Sequence, residues 1–319
     1  MGERKPGEFE LIARLAARLS PPGEAGVVGI GDDAAAIPVA GGFLLLTCDI
    51  AVEGRHFVRA HTPMADLGWK VASASVSDVV ACGGLPTYAL ISLGIPDDCG
   101  AEPLERLYEG LEEAGTHYGF QVIGGNVTAA DQLLVDCFMV GRAERFVSRS
   151  GSEPGQLLAV SGTLGDSDAG RELLGREPRG EGERALLACH LRPRVRTDTE
   201  LVGFLRDWAG AAIDISDSLA AELHHLARAG GVGLQVEGGR IPISAELEAF
   251  CAARGEPALE RALYGGEDYR VLCTLPAARE AEAQAAGFTV IGSVTAAGGV
   301  TCSGRPLPDR GWDHLQPRP

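Results

Sequence analysis

The stretch GIGDDAAAIPVAGGFLLLTCD, residues 29–49, joins a glycine turn that carries two aspartates to an apolar run that ends in polar groups. The run from Phe43 to Asp49 is typical of a buried strand, because its consecutive apolar residues leave no polar face. We therefore expect the carboxylate of Asp49 at a strand end. Tight turns and strand ends can present several oxygen ligands to one cleft, so this stretch predicts both a sheet and a candidate site.

Alternating helices and strands surround this stretch. In the first half, the patterns predict helices at 7–19, 63–82 and 102–118 and strands at 88–95, 120–123 and 133–140. A linker, SRSGSEPG at 148–155, precedes a second series of the same kind. There the patterns predict strands at 157–161, 211–215, 232–236, 269–275 and 288–294 and helices at 165–174, 217–229, 244–263 and 277–286. We predict an α/β protein with mixed α+β layers in two domains, residues 1–150 and 151–319, with the strand order left open.

The composition is that of an ordinary globular protein, with 45% apolar and 23% charged residues among 319. Acidic residues outnumber basic residues 44 to 28, which gives a formal charge of -16. Such a charge repels nucleic acid and anionic membrane surfaces, so we expect neither as a partner. Cations are the better expected partners.

Two residue types restrict the chemistry. Only Lys5 and Lys70 are lysines, and neither lies in the setting of a phosphate loop or of a protein kinase. Any phosphate chemistry must therefore use metal ions, arginines and backbone amides. The eight cysteines form no CxxC pair and no zinc-site cluster, so we interpret them as reduced thiols. The N-terminus lacks an apolar signal core, and no stretch approaches the ~20 apolar residues of a membrane span, which predicts a cytoplasmic location.

Aspartates recur after turns and strands. Asp33 follows the glycine turn, and Asp49 and Asp214 each end an apolar strand. Asp78 and Asp217 each follow a serine. Mg2+ prefers carboxylate and carbonyl oxygens, so these side chains together are suited to a metal site. Each one alone also fits an ordinary role, because aspartate is common in glycine turns and as a helix cap.

Four further features have both a functional and an ordinary interpretation. The glycine pairs in Gly124-Gly125-Asn126 and in GGEDY at 265–269 let a backbone approach a ligand, but plain turns use them too. His56 fits either a ligand contact or a structural histidine. Trp312 fits either an aromatic ligand contact or packing of the last segment. The residues alone leave these alternatives open.

Taken together, these segments resemble the thiamine-monophosphate kinases of the aminoimidazole ribonucleotide synthetase-like superfamily. The matching segments follow the family's order and span almost the whole chain, which makes the resemblance specific. They are GEFELIARL at 7–15, GIGDDAA at 29–35, TCDIAVEGRHF at 47–57, SVSDVVACGGLP at 75–86, VIGGNVT at 122–128, SRSGSEPG at 148–155, SGTLGDSDAG at 161–170, HLRP at 190–193, AIDISDSLAAEL at 212–223, GGEDY at 265–269 and GWDH at 311–314.

The resemblance implies a two-domain fold, a homodimer formed through the N-terminal domains, and ATP bound with several Mg2+ ions in the cleft between domains. It also implies phosphorylation of thiamine monophosphate to thiamine diphosphate, the last step of thiamine diphosphate biosynthesis. The implied magnesium-site residues are Asp33, Thr47, Cys48, Asp49, Asp78, Asn126, Asp214 and Asp217. The implied ATP contacts are Tyr108, Gly125, Asn126, Arg149 and Ser216, and the implied thiamine monophosphate contacts are His56, Glu267 and Trp312.

Three positions depart from the family pattern. Cys48 stands where threonine is common, and since a thiolate is a soft ligand we expect its backbone carbonyl to face magnesium. Asn126 stands where aspartate is common. Its amide oxygen can still coordinate a metal ion, but it supplies no negative charge to neutralise that ion. Ser218 replaces a common glycine, for which we expect only a change of local turn geometry.

The implied acceptor is a phosphate monoester that is largely dianionic near neutral pH, so no catalytic general base is expected. Alignment and charge neutralisation by cations should govern the transfer, with Arg149 adding a fixed positive charge. One alternative is another superfamily enzyme: selenophosphate synthetase, aminoimidazole ribonucleotide synthetase or the hydrogenase-maturation dehydratase. Selenophosphate synthetase is expected to carry a reactive cysteine or selenocysteine near its N-terminus, but this sequence has no cysteine before Cys48. The dehydratase is expected to end in a cysteine, but this sequence ends in Pro-Arg-Pro. The other alternative is a non-catalytic acidic protein that binds metal or nucleotide.

Overall fold

The computed structural model describes residues 6–20, 22–296, 298–310, 312 and 315. Its helices are α1 Glu8–Ala16, α2 Met64–Ala81, α3 Ala101–Tyr118, α4 Asp166–Glu172, α5 Glu181–Leu191, α6 Thr199–Trp208, α7 Leu219–Gly230, α8 Ala245–Ala252, α9 Ala258–Tyr264 and α10 Glu280–Ala285. Its strands are β1 Ala35–Val39, β2 Gly42–Val52, β3 Leu85–Ile95, β4 Gln121–Ala129, β5 Leu134–Ala143, β6 Leu157–Ser161, β7 Ala212–Asp214, β8 Gly233–Val236, β9 Val271–Leu275, β10 Phe288–Thr295, β11 Val300–Cys302 and β12 Arg305–Pro306. Within these ranges, every helix is too short or too polar to cross a membrane.

The first half forms a five-stranded sheet in the order β1-β2-β5-β3-β4. Strands β3 and β4 are parallel, and the other neighbouring pairs are antiparallel. Helix α2 packs on one face of this sheet and against α3. On that face, Leu45, Ile91 and Met139 are fully buried, as alternation along each strand requires. The opposite face keeps large apolar side chains exposed, among them Ile50 and Leu90.

The second half forms a seven-stranded sheet in the order β12-β11-β8-β10-β6-β9-β7. Here β8 and β11 are parallel, and the other neighbours are antiparallel. Helix α2 also contacts β7 and β9 of this sheet. One hydrophobic cluster accordingly contains Val76 of α2, Ile91 of β3 and Val271 of β9. Helix α2 is therefore the element through which the two halves share a core.

The predicted mixed α+β layers are confirmed, and most predicted elements are present. The strand predicted at 120–123 continues through Gly124, Gly125 and Asn126 as part of β4, so the interpretation of this glycine pair as a plain turn is wrong. Gly125 is required there: its φ is 156°, and a Cβ would lie 1.8 Å from the carbonyl oxygen of Ile91. Helices α5 and α6 and strands β1, β11 and β12 were not predicted. The domain boundary near residue 150 falls between the last strand of one sheet and the first of the other, and the division stays a prediction.

Candidate active site

Three carboxylates from distant parts of the chain meet where α2 approaches β7. Asp33 lies in the turn before β1, Asp78 in α2 and Asp214 at the end of β7. One oxygen of each lies within 4.8 Å of the others. We call these three residues the aspartate cluster. Asp33 and Asp214 are buried and Asp78 is half-buried, so their mutual repulsion is weakly screened.

Side-chain hydroxyls hold the carboxylates of this region. Each donates a hydrogen bond to one carboxylate oxygen. The pairs are Thr47 Oγ1 to Asp78 Oδ2 at 2.6 Å, Ser75 Oγ to Asp49 Oδ2 at 3.0 Å and Ser77 Oγ to Asp214 Oδ2 at 2.7 Å. A hydroxyl is a neutral donor, so these bonds fix the direction of the carboxylates without neutralising their charge.

The aspartate cluster carries more negative charge than the positive charge around it can neutralise. Burial raises the pKa of Asp33 to about 6, even though Arg149 opposes the shift. Burial and then neighbouring carboxylates raise the pKa of Asp78 and of Asp214 well above the ordinary range. Among the described residues, none donates a hydrogen bond to the buried Oδ2 of Asp33. Since Mg2+ takes oxygen ligands and supplies the missing positive charge, the residues present fit such an ion.

The two adjacent aspartates of the first turn act differently. Asp32 accepts hydrogen bonds from Ser148 Oγ at 2.7 Å and from the Arg149 amide at 2.9 Å, which holds the segment after β5. Asp33 accepts from Arg149 Nε at 3.1 Å and also contacts a terminal guanidinium nitrogen. Arg149 thereby lies beside the aspartate cluster and is its one ion-pair partner among the described residues.

The GGEDY segment lies against the residues that follow β7. The amide of Glu267 donates to the Ser216 carbonyl at 2.6 Å, and the amide of Tyr269 donates to the Ile215 carbonyl at 2.8 Å. Gly266 is required by this close approach, because a Cβ there would lie 2.5 Å from the carbonyl oxygen of Asp217. The predicted acceptor contact Glu267 is thus brought next to the predicted ATP contact Ser216.

His56 lies in the turn after β2 and is half-buried. Its Nδ1 accepts a hydrogen bond from the Val52 amide at 2.9 Å. That bond places the proton of the neutral ring on Nε2 and fixes the orientation of the ring.

The sheet separates two predicted ligands from the aspartates. Asp49 belongs to the cross-strand row that contains Cys137, Ile91 and Gly125, on the face covered by α2. The next row along the strands lies on the opposite face and contains Ile50, Asp136, Ser92 and Asn126. The side chain of Asn126 therefore points away from Asp49 within one chain. Cys48 is likewise exposed on that opposite face, so its thiol also points away from Asp49.

The remaining predicted residues lie around this centre. Tyr108 is on α3 and is 39% exposed. The amide of Asp217 donates to Glu222 Oε1 at 3.2 Å. Ser218 caps α7 by accepting from the Ala221 amide at 3.1 Å, with an extended backbone that needs no glycine. Trp312 is half-buried, whereas the other residues of its GWDH motif lie outside the described residues.

Sequence reasoning missed several polar groups of this region. Glu222 is 3% exposed, and burial and then Asp217 and Asp214 raise its pKa well above the ordinary range. Ser75 and Ser77, which orient two aspartates, lie in the segment SVSDVVACGGLP, in which the sequence predicted only Asp78 as a site residue. Their signal was the run of serines in an otherwise apolar helix. Lys70 is also buried here, although its sequence context suggested no role.

Comparison with known proteins shows relatives along nearly the whole chain. Residues 31–143 match the family model "AIR synthase related protein, N-terminal domain". The chain is 42% identical to the thiamine-monophosphate kinase of Aquifex aeolicus (strain VF5), over 97% of this chain and 98% of that protein. It is 35% identical to the enzyme of the same name from Escherichia coli (strain K12), over 97% and 98% of the two chains. The solved structure "AaThiL complexed with AMPPCP and TMP" superposes with a TM-score of 0.89 at 42% identity, covering 97% of each chain.

Proposed function

The chain belongs to the thiamine-monophosphate kinase family, and from that premise we propose that it transfers the γ-phosphoryl group of ATP directly, in line, to thiamine monophosphate. The product would be thiamine diphosphate, so the reaction is proposed as the last step in its biosynthesis. The observation that carries this proposal is the aspartate cluster, which is buried, short of positive charge and placed where α2 meets both halves of the fold. A cytoplasmic location belongs to the same proposal and agrees with eight free cysteines.

The aspartates would hold several Mg2+ ions. Asp33, Asp78 and Asp214 offer converging oxygens, and Asp49 lies beside Asp78 as a fourth carboxylate. We keep Thr47, the Cys48 carbonyl, Asn126 and Asp217 as further members of the proposed metal sites. Bound Mg2+ would neutralise the phosphate oxygens of ATP and of the acceptor.

The protein groups would align two anions. Arg149 is anchored on Asp33 through Nε and one terminal nitrogen, so it can offer its other terminal nitrogen to a phosphate. Ser216, Tyr108 and Gly125 are proposed to contact ATP, and His56, Glu267 and Trp312 to contact thiamine monophosphate. No general base is proposed, because the acceptor phosphate is already ionised.

A homodimer through the first sheet is part of the proposal. Strand β4 forms an open edge of that sheet, and its Ile123 and Val127 are 60% and 63% exposed. The uncovered face beside it carries the apolar Ile50 and Leu90. A second copy would cover both the edge and the face, which otherwise expose a surface prone to association. Asn126 would then lie at the interface.

Turnover with ATP, Mg2+ and thiamine monophosphate tests the function. We expect stoichiometric thiamine diphosphate and ADP, measured by chromatography, and inversion at phosphorus when the γ-phosphate is made chiral with oxygen isotopes. ADP formation without thiamine diphosphate would contradict the proposed acceptor. Retention of configuration would contradict a single in-line transfer. Sedimentation at micromolar concentration tests the dimer separately.

A further inference from the structure

Lys70, His190 and Glu267 form a second buried charged group, which we call the lysine cluster. Lys70 Nζ lies 2.8 Å from Glu267 Oε1 and 3.3 Å from His190 Nε2. His190 Nδ1 lies 3.4 Å from Glu267 Oε2. Lys70 and His190 are 6% and 4% exposed, so their polar atoms face one another and Glu267 instead of solvent. The cluster joins α2, α5 and the GGEDY segment.

The protonation pattern of the lysine cluster is self-consistent. Burial, and then Lys70, lower the pKa of His190 to about 4, so the ring is neutral near pH 7. Its Nε2 then accepts from the ammonium group, and its Nδ1–H faces Glu267 Oε2 and the Ser167 hydroxyl at 3.2 Å. Burial alone would raise the pKa of Glu267, but the ammonium group of Lys70 holds it below its ordinary value. One carboxylate oxygen therefore faces Lys70 and the other faces His190.

The backbone of Glu267 needs this support. Its φ is 62°, a left-handed conformation that non-glycine residues adopt rarely, and Tyr269 follows with a φ of 50°. Such conformations persist where surrounding contacts over-determine them. Here the Glu267 amide is bonded to Ser216, and the next side chain, Asp268, accepts from the Gly165 amide at 2.8 Å.

We propose that Lys70 and His190 are positioning residues that hold the Glu267 carboxylate in place for a cationic acceptor. The inference rests on the proposed function, in which Glu267 contacts thiamine monophosphate. Glu267 keeps 29% of its side-chain surface exposed, so a ligand can reach its carboxylate while the two buried partners stay behind it. A fixed carboxylate attracts the thiazolium cation and accepts hydrogen bonds from the aminopyrimidine. Lys70 and His190 act only through Glu267.

A double-mutant cycle tests this dependence. Acceptor affinity is measured by calorimetry on the full chain with Mg2+ and a non-hydrolysable ATP analogue. We expect Lys70→Met and Glu267→Gln each to weaken thiamine monophosphate binding by about ten- to a hundredfold, the range of charge-assisted hydrogen bonds. The double variant should be no weaker than the weaker single variant. Multiplying losses would show that Lys70 acts independently and would overturn the inference.

Two substitutions of His190 provide a second test, in which only one of the new side chains can replace the hydrogen bonds of the ring. A glutamine can accept from Lys70 and donate to Glu267, so His190→Gln should keep acceptor affinity within about threefold, whereas His190→Leu should lose about tenfold. Equal affinities for these two variants would overturn the role of His190. Arg106→Met, on the exposed face of α3, is the matched control and should change nothing.

The outcome is separable from that of the proposed function. Affinity of the ATP analogue should stay within about twofold in all variants, because the lysine cluster reaches the proposed ATP contact Ser216 only through the Glu267 backbone amide, which the substitutions leave in place. If wild-type protein binds ATP but neither binds nor phosphorylates thiamine monophosphate, the proposed function fails. If wild type does both and Lys70→Met leaves acceptor affinity unchanged, only the positioning role fails.

Discussion

Helix α2 contributes a residue to both the aspartate cluster and the lysine cluster. In the lysine cluster the negative charge has a cationic partner within the chain, whereas in the aspartate cluster most of the negative charge has none. In the lysine cluster, the charge of Glu267 is opposed by the ammonium group of Lys70 at 2.8 Å. In the aspartate cluster, three carboxylates converge within 4.8 Å, and Arg149 contacts only Asp33 among them. Desolvated like charges are costly unless a counterion is present.

This difference separates a charge group that the chain itself balances from one that needs a cation from solution. A charge group whose counterion is built into the chain is complete when the chain folds. A charge group that lacks one is complete only when a ligand supplies it. The two clusters therefore predict opposite responses to the loss of a single charge.

The largest expected effect is that of Asp214→Asn on turnover. Replacing this carboxylate by a neutral amide should abolish measurable thiamine diphosphate formation, while the free energy of unfolding in metal-free buffer rises because one repelling charge is gone. Asp207→Asn, at an exposed position, is the matched control and should leave both quantities unchanged. Near-normal turnover of Asp214→Asn, or a large loss of metal-free stability, would break the comparison.

The second expected effect is that Lys70→Met lowers the free energy of unfolding, whereas Asp214→Asn raises it. Lys70→Met leaves the half-buried Glu267 carboxylate without its cationic partner, so the free energy of unfolding should fall by about 1 to 3 kcal/mol. The double variant Lys70→Met/Glu267→Leu should recover most of that loss. Urea unfolding at pH 7 measures all three proteins. A Lys70→Met variant as stable as wild type would mean that the lysine cluster is not balanced in the way described.

The smallest effect concerns Trp312, which belongs to neither cluster. Stacking of an indole on a thiazolium ring corresponds to about 0.5 to 2 kcal/mol, so Trp312→Ala should weaken acceptor binding roughly two- to thirtyfold. Affinity for the ATP analogue should be unchanged. If both ligands weaken equally, Trp312 instead packs the C-terminal segment.

Local patterns predicted much of the fold. The apolar run before Asp49 and the alternation of helices and strands gave the element types and the mixed layers, because periodicity records which face is buried. The strand order could not be predicted, since it depends on contacts between distant segments. Gly124 to Asn126 lie inside β4 because of a close approach to Ile91, which no local signal contains.

In the candidate site too, local motifs predicted some residues, and contacts between distant segments determined the rest. Motif resemblance selected Asp33, Asp78 and Asp214, and the structure brings them together. The motif resemblance could not show that Asn126 lies on the other face of the sheet, because the face on which a side chain lies depends on strand register. Lys70 was missed since its partners, Glu267 and His190, lie over a hundred residues away in sequence.

We propose that a bound divalent cation balances the aspartate cluster, whereas Lys70 already balances the lysine cluster. The most direct test of this proposal is the free energy of unfolding of nucleotide-free wild type and Asp78→Asn, with and without Mg2+, at constant ionic strength. At a hundredfold excess over its dissociation constant, Mg2+ should stabilise wild type by about 2.7 kcal/mol and Asp78→Asn by much less. Equal stabilisation of the two proteins, or none of wild type at millimolar Mg2+, would contradict the account.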